Sequence, residues 1–525
     1  MDTKLFKIND KYLNNQDKLN KDDKPFLVCV CDNFIEKEES LEELTNDLMK
    51  IKFSTKCNDL YSLYQTKDLG ELSESQTTPI IKEFVNFMKT DVKEYLKNVT
   101  GFNLTDKVTL TGSRYQKGNY LLPHNDQISN RKVAFIIYLN KKDKDIEGGE
   151  LNIYNVDEKD FPKDIILSEK PIFNRFNFFE VSNKSWHEVS EILSEDVERI
   201  SINGWFHVEE DCNIQRHDME ENITEIIKED FDLSLFLDTK MLDDKYMSVI
   251  KKRFEEDSYV ALANFLRADI LEKINEELKN VQFKEQGPWH KRRIMKFEEK
   301  DLPEDSTLKK FLICSRSDTF MKYFSFVTGL HFVDIPGAVT SYDGTEENDY
   351  EPGPSKKQKL ETEEPKVEEE GIKMNHELYR LTKRTYICGD DQIAEKSDKS
   401  GWSLDVKFFF TDTKWSTTYD GYTSYIRPFC RSEILRLEPS NNVCFLVFKE
   451  PTCFDITKYV LSECGDNYMN CLNISYMGIK NDEEDGDFLD EEEIEDEMGL
   501  DEESPEEDEV ISKSGNVHDD TDDEF

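Results

Sequence analysis

The chain has 525 residues, of which only 37% are hydrophobic, and a formal net charge of −45. That length exceeds one ordinary core and implies two globular domains with unstructured sequence beside them. The acidic balance argues against nucleic acid held through its phosphates and for basic partners, and no apolar run approaches a membrane span.

Residues 1–24 are polar and read as a flexible arm, too polar at the start for a secretory signal. Residues 25–32 read as a buried strand and 36–50 as an amphipathic helix. A second helix over 80–98 sets Ile81, Phe84, Phe87 and Met88 on one face. Short strands come next at 107–112, 118–123, 133–139, 151–154, 175–181 and 198–208, parted by Gly, Asn and Asp turns. Helices and then many short strands predict an α+β, mainly β fold: a double-stranded β-helix, or jelly roll, backed by helices over 25–212. A charged connecting segment, helical in part, spans 213–245.

Beyond it the chain looks like its own beginning again. Asp257-Ser-Tyr-Val-Ala-Leu-Ala-Asn-Phe-Leu and the Leu-rich acidic run after it resemble Phe26-Leu-Val-Cys-Val-Cys-Asp-Asn-Phe-Ile and its own acidic helix, each read as a strand through the Asn-Phe pair. A duplication therefore predicts a second β-helix domain over 246–480. Its counterpart of Tyr120-Leu-Leu-Pro-His-Asn-Asp is Tyr386-Ile-Cys-Gly-Asp-Asp, without the histidine. Asp455 falls where His187 is expected, and no arginine opens the closing strand. The second copy reads as the same fold with a dead metal site. Residues 342–371 are a disordered acidic insertion by composition, and 481–525, with 24 Asp and Glu against one lysine, a disordered acidic tail. Lys356 belongs to a basic cluster open to two readings, a nuclear import signal or incidental lysines in a solvated loop. The 11 cysteines are scattered and read as free thiols.

In the first copy His124 and Asp126 stand two apart, a spacing that points both side chains to one face of an extended strand. His187 comes later, in Ser-Trp-His-Glu-Val-Ser, and Arg199 opens Arg-Ile-Ser-Ile-Asn-Gly-Trp-Phe. Two histidines and a carboxylate form the facial triad of a non-haem iron(II) site, which leaves positions for a 2-oxo acid and dioxygen. Zinc would suit the same ligands but leaves the arginine unexplained. An oxo acid with a second, buried carboxylate calls for a fixed cation with paired donors, the role read for Arg199. Tyr138 is placed to donate a second hydrogen bond. Tyr115 is open to two readings, pocket lining and core packing. His207 reads as structural, and His217, His290, His331, His376 and His518 lack partners at ligand spacing.

His124-Asn-Asp126, Arg131-Lys-Val-Ala-Phe-Ile-Ile-Tyr-Leu, Phe178-Phe-Glu-Val-Ser, His187-Glu-Val-Ser-Glu and Arg199-Ile-Ser-Ile-Asn-Gly-Trp-Phe-His together resemble a family. It is that of the iron(II)- and 2-oxoglutarate-dependent prolyl 3-hydroxylases acting on small ribosomal subunit protein uS12 (S23 in eukaryotes), the two-domain, termination- and polyadenylation-associated type. The resemblance implies tandem double-stranded β-helix domains, only the first catalytic. It implies that His124, Asp126 and His187 bind Fe(II) and that Arg199 anchors 2-oxoglutarate, with O2 as oxidant and ascorbate in support. It further implies uS12 as substrate and effects on translation accuracy and termination. Residence in nucleus and cytoplasm is expected, and the acidic charge and lack of an apolar run predict no direct nucleic-acid or membrane partner. Two other readings fit the residues: an oxygenase acting on another basic protein, and an acidic chaperone or scaffold for basic proteins.

Overall fold

The computed structural model describes residues 4–14, 21–22, 25–142, 144–210, 223–332, 372–389, 402–427 and 432–479. The expected acidic insertion at 342–371, the tail at 481–525 and the basic cluster at Lys356 lie outside the described residues, as do His217 and His518.

Two curled antiparallel sheets carry the fold. Along the first, Val28–Cys31 is followed across the sheet by Phe176–Glu180, Arg131–Tyr138, Arg199–His207, Val108–Tyr115 and Tyr61–Asp68; there the sheet turns over into Tyr120–His124, His187–Val189, Leu151–Val156 and Pro162–Glu169. The second runs in the same order: Tyr259–Ala263, Val443–Lys449, Trp402–Phe410, Met469–Ile479, Lys373–Leu381, Arg292–Lys296, then Tyr386–Ile387, Phe454–Thr457, Thr423–Arg427 and Ser432–Leu437. Ten strands thus correspond one for one, which is the jelly-roll duplication expected from the sequence.

The apolar alternation of the strands explains the layering. Inner faces of the large sheet bury Leu110, Val133, Phe135, Ile137, Phe176, Phe178 and Ile202 against Glu38–Leu48 and the long helix begun by Pro79–Phe87. The second copy repeats this with Ala268–Leu278, Thr307–Ser315 and Asp318–Thr328 over Leu404, Val406, Phe408 and Ile474. Small details repeat as well. Asn174 hydrogen-bonds both the amide and the carbonyl of Ile35 (2.9 and 2.8 Å), and Asn442 does the same to Leu266 (2.9 and 2.9 Å).

Four expectations need correction. The Asn-Phe-Ile and Asn-Phe-Leu segments are turns that come after the strands, because Asn33 and Asn264 take left-handed φ of 50° and 55°, which asparagine tolerates. The N-terminal arm is not loose over 4–14: Phe6 and Ile8 are buried in the first core and Asn9 caps the short helix Asp10–Leu13. Two apolar side chains among lysines were enough to anchor it. Residues 223–245 are no free connector either, since Phe236, Leu237 and Met241 lie in the second core. Tyr61–Asp68 escaped the sequence reading because a polar strand shared by both halves of the curl lacks a clean apolar face. No helix among the described residues is long and apolar enough to cross a membrane, and the described cysteines are free thiols.

Candidate active site

The small sheet of the first copy brings His124 and His187 together, since they are Cα partners on Tyr120–His124 and His187–Val189. The strand ends at His124. Asp126 therefore reaches the histidines from a turn, with φ of 60°, and not from the same-face geometry of an extended strand. One carboxylate oxygen lies 3.4 Å from His124 Nε2 and the other 3.4 Å from His187 Nε2. All three ligand atoms fall within 4.8 Å of one another.

Both imidazoles are oriented by backbone. A carbonyl oxygen only accepts, so His124 Nδ1–H donates to Leu122 O (2.9 Å) and His187 Nδ1–H to Ser185 O (2.7 Å). With Nδ1–H so engaged, Nε2 is the nitrogen that each ring turns toward Asp126 and that it would offer to a metal once unprotonated. Trp205 Nε1 donates to Asp126 Oδ2 at 3.0 Å, and the Arg131 guanidinium lies 3.6 Å over the Trp205 ring and 4.0 Å from Asp126 Oδ1. Burial works against a charged Asp126, but the two imidazoles overcome it and hold the carboxyl well below its usual range. Burial likewise lowers His187, with the neighbouring His124 adding to it; for His124 burial is outweighed by the Asp126 charge together with the hydrogen bonds to Asp126 and Leu122, which raise it.

A second cluster lies on the large sheet. Arg199 is Cα partner of Tyr115, and Ser201, two residues on, of Tyr138, so the arginine and both tyrosines gather on three adjacent strands. Arg199 is 1% exposed. Its Nε donates to Gly149 O (3.0 Å) and its Nη1 to Ser201 Oγ (3.4 Å), while the guanidinium stands 4.8 Å from the Tyr115 ring centre and 5.0 Å from that of Tyr138. Arg199 Nη2 and the Tyr138 hydroxyl are buried without a hydrogen-bond partner. Two unmatched donors at one place, one of them cationic, are what a buried carboxylate would satisfy. Burial pushes Tyr138 up and Tyr115 to about 12, so both hydroxyls keep their protons.

The sequence reading missed Trp205 and Arg131 as supports of Asp126, and treated Gly148-Gly149 as only a turn. A Cβ on Gly149 would lie 2.4 Å from Ile192 and 3.0 Å from Arg199 Cδ, so the glycine keeps clear the space in which the arginine lies. A Gly-Gly pair was the one available signal. His207 is structural as expected, held by Thr109 Oγ1 at 2.9 Å and Asn130 Oδ1 at 2.8 Å.

The second copy serves as an internal control. Asp455 pairs with Tyr425 just before a register shift, as His187 pairs with Ile153 before the matching shift, so Asp455 occupies the His187 position. Registers likewise equate Tyr115 with Leu381, Tyr138 with Phe409 and Arg199 with Met469. Those three join an apolar cluster. Asp455 itself is salt-bridged to Lys407 (2.9 Å) and Lys449 (3.3 Å), and Lys449 to Asp405 (3.0 Å), which leaves it no free charge for a metal. The counterpart of His124 at Asp390 lies outside the described residues.

Comparison with known proteins agrees with this division. Residues 110–207 match the 2OG-Fe(II) oxygenase superfamily and residues 228–485 the C-terminal domain described as oxoglutarate and iron-dependent oxygenase degradation. Prolyl 3-hydroxylase OGFOD1 of Mus musculus is 30% identical over 473 residues, covering 83% of this chain and 84% of the relative. The Xenopus laevis protein of the same name is 30% identical over 450 residues, 84% of each chain. Among solved structures, a Pseudomonas putida prolyl-4-hydroxylase is similar at 15% identity and a TM-score of 0.29, covering 37% of this chain and 96% of its own.

Proposed function

The chain belongs to the prolyl 3-hydroxylase family of 2-oxoglutarate- and iron(II)-dependent oxygenases, and from that premise we propose that it hydroxylates C3 of a proline in small ribosomal subunit protein uS12. The observation that carries the catalytic assignment is the pairing, among the described residues in the first barrel, of a metal-competent triad with two unmatched buried donors. His124, Asp126 and His187 fit Fe(II): neutral nitrogen donors with fixed tautomers and an ionised carboxylate. Arg199 and Tyr138 fit the far carboxylate of 2-oxoglutarate.

When bound, these groups supply an oxidation in which O2, 2-oxoglutarate and prolyl C–H become succinate, CO2 and prolyl C–OH. The chain positions the partners. Arg199 neutralises and orients the co-substrate from a buried position beside the Tyr115 and Tyr138 rings, where a charge pair is worth more than in water. Trp205 restrains Asp126 by taking one of its lone pairs, which fixes the carboxylate plane. Neither tyrosine gives up a proton, so each keeps an O–H with which to donate.

For the substrate, support comes from the motif resemblance and from the charge of −45, which favours a basic protein. In this reading ascorbate keeps the iron reduced, the enzyme works in nucleus and cytoplasm on translation accuracy and termination, residues 25–212 do the chemistry and 246–480 hold the substrate protein. The test is anaerobic incubation with Fe(II) and 2-oxoglutarate, admission of O2, and mass spectrometry of a uS12 peptide. One added oxygen on proline is expected. Succinate release with other basic proteins but no oxygen on uS12 proline would move the reading to a different basic substrate. No succinate with any protein would leave the scaffold reading standing.

A further inference from the structure

A cavity of about 650 Å³ opens where the two copies meet, lined by Leu193 of the first and by Arg293, Arg380, Lys383, Arg384 and Tyr468 among others of the second. Glu285 and Asp466 are its acidic members. Glu285 is already paired with Arg293 at 2.7 Å, and Asp466 stands fully in solvent, 3.9 Å from Lys383. The lining is thus net positive in a chain that is strongly negative overall.

Arg380 is the unusual member, and the duplication shows why. It pairs with Asn470 and Met295 as Arg114 of the first copy pairs with Ile200 and Tyr64, so the two arginines are counterparts. Arg114 has a carboxylate, Glu198, at 2.8 Å. The residue in the Glu198 position of the second copy is Tyr468, next to Met469 as Glu198 is next to Arg199. Arg380 consequently lies between two rings, 3.7 Å from the centre of Phe283 and 3.8 Å from that of Tyr468, with Nε donating to Asn470 Oδ1 at 2.9 Å. Its Nη2 is buried and has no hydrogen-bond partner. The rings fix the guanidinium plane, and no carboxylate takes the direct contact that Glu198 makes with the counterpart: Asp412 acts on Arg380 only across a longer distance, being itself held by the Tyr468 hydroxyl and, at 2.8 Å, by Lys279. Arg384, at the same cavity, acts on the buried Glu191 carboxylate across a longer distance and makes no direct side-chain ion pair among the described residues.

We propose that this cavity binds a small multivalent oxyanion, with Arg380 as its anchor and Arg384 and Lys383 at its mouth. A planar guanidinium held edge-on offers paired donors to phosphate or carboxylate oxygens. The site is separate from the 2-oxoglutarate pocket, whose arginine counterpart in this copy is Met469. It abuts Ser462, which donates from Oγ to Glu191 of the first copy at 2.6 Å, so a bound anion would brace the contact between the copies.

Calorimetric titration of the full chain with pyrophosphate, orthophosphate and tricarballylate tests the proposal and separates phosphate from carboxylate sources by which anion binds more tightly. One saturable site per chain is expected for at least one anion. Arg380→Gln should weaken it about tenfold or more, and the exposed Lys383→Gln and Arg384→Gln about threefold each. Arg199→Met and Arg114→Gln should leave it unchanged. No saturable binding of any of the three anions would overturn the proposal, as would binding of undiminished affinity in the Lys383→Gln, Arg384→Gln double variant or in Arg380→Gln with unaltered circular dichroism. Binding lost equally in Arg199→Met would place the anion in the co-substrate pocket and overturn it too.

Discussion

Replacing Arg199 by the residue that its own counterpart carries separates co-substrate binding from metal binding. Arg199→Met removes a buried cation whose Nη2 has no partner and leaves His124, Asp126 and His187 untouched. A carboxylate left unpaired in the same pocket costs about 3–5 kcal/mol, which is a loss of roughly 10²- to 10⁴-fold in 2-oxoglutarate affinity. Mn(II) or Fe(II) affinity should stay within about twofold, since the ligand atoms are not in contact with the change. The ligand-free protein should be as stable as before or more so, because the substitution removes a desolvated charge and puts in a side chain that the fold already accommodates at Met469. Saturating 2-oxoglutarate should stabilise the parent chain by about 2.7 kcal/mol at a hundred times its Kd and the variant by less than about 0.5 kcal/mol at the same concentration. Thermal unfolding with Mn(II), with and without 2-oxoglutarate, reads both quantities, and succinate release gives KM. A variant that keeps 2-oxoglutarate affinity within about threefold, or that loses the metal along with it, would refute the assignment of Arg199.

Asp126→Ala should abolish iron-dependent succinate formation and reduce metal affinity by a hundredfold or more (about 10², the order seen when a metal site loses a supporting group, and a ligand counts for more); turnover that persisted would mean the triad is misassigned. Ser462→Ala leaves Glu191 buried with fewer donors and should lower unfolding free energy by about 1.5–3 kcal/mol in urea, the range for hydrogen bonds to charged groups. An unchanged midpoint would show that the contact contributes nothing. His376 is held at about 3 by burial, with the nearby Arg316 charge adding to it, and bonds Ser315 Oγ at 2.8 Å. Its folded value lies below the unfolded 6.5, so its contribution is complete above pH 6.5 and is lost as pH falls toward 3. At pH 5 the loss is about 2 kcal/mol. The difference in stability between the parent chain and His376→Gln should therefore shrink from pH 7 to pH 5, and parallel pH profiles would contradict it.

The metal site was legible because its chemistry is written in residue types: two histidines, an aspartate and a late arginine have few structural uses in that order. The detail that joins them was less so. Asp126 arrives by a left-handed turn that the two-residue spacing does not reveal, and Gly149 acts through a backbone oxygen that any residue possesses. The duplication was readable from Asn-Phe-Ile and Asn-Phe-Leu, although these mark turns, because the asparagine conformation is what both copies retain. The burial of Phe6 and Ile8 was hidden by the lysines around them, since composition averages over a segment while burial is decided by two side chains. Arg380 had no signature at all. Its meaning lies in the absence of a partner that only the paired registers disclose.

The quartet of Lys407, Lys449, Asp405 and Asp455 bears on the history the second barrel can still have. Tyr425 and Ser475 also donate to Asp405, at 3.2 and 2.6 Å, so the four charges and two hydroxyls form one balanced network. Exchanging any single member strands an opposite charge in the interior, at a cost of about 3–5 kcal/mol, a large part of a domain's margin. A histidine at 455 would strand the Lys407 ammonium and leave Lys449 with Asp405 alone, placing two cations where a dication must enter. Turning the second barrel into an oxygenase therefore requires several substitutions at once, each harmful alone, and among the described residues it is the first barrel in which this chemistry can be tuned one residue at a time.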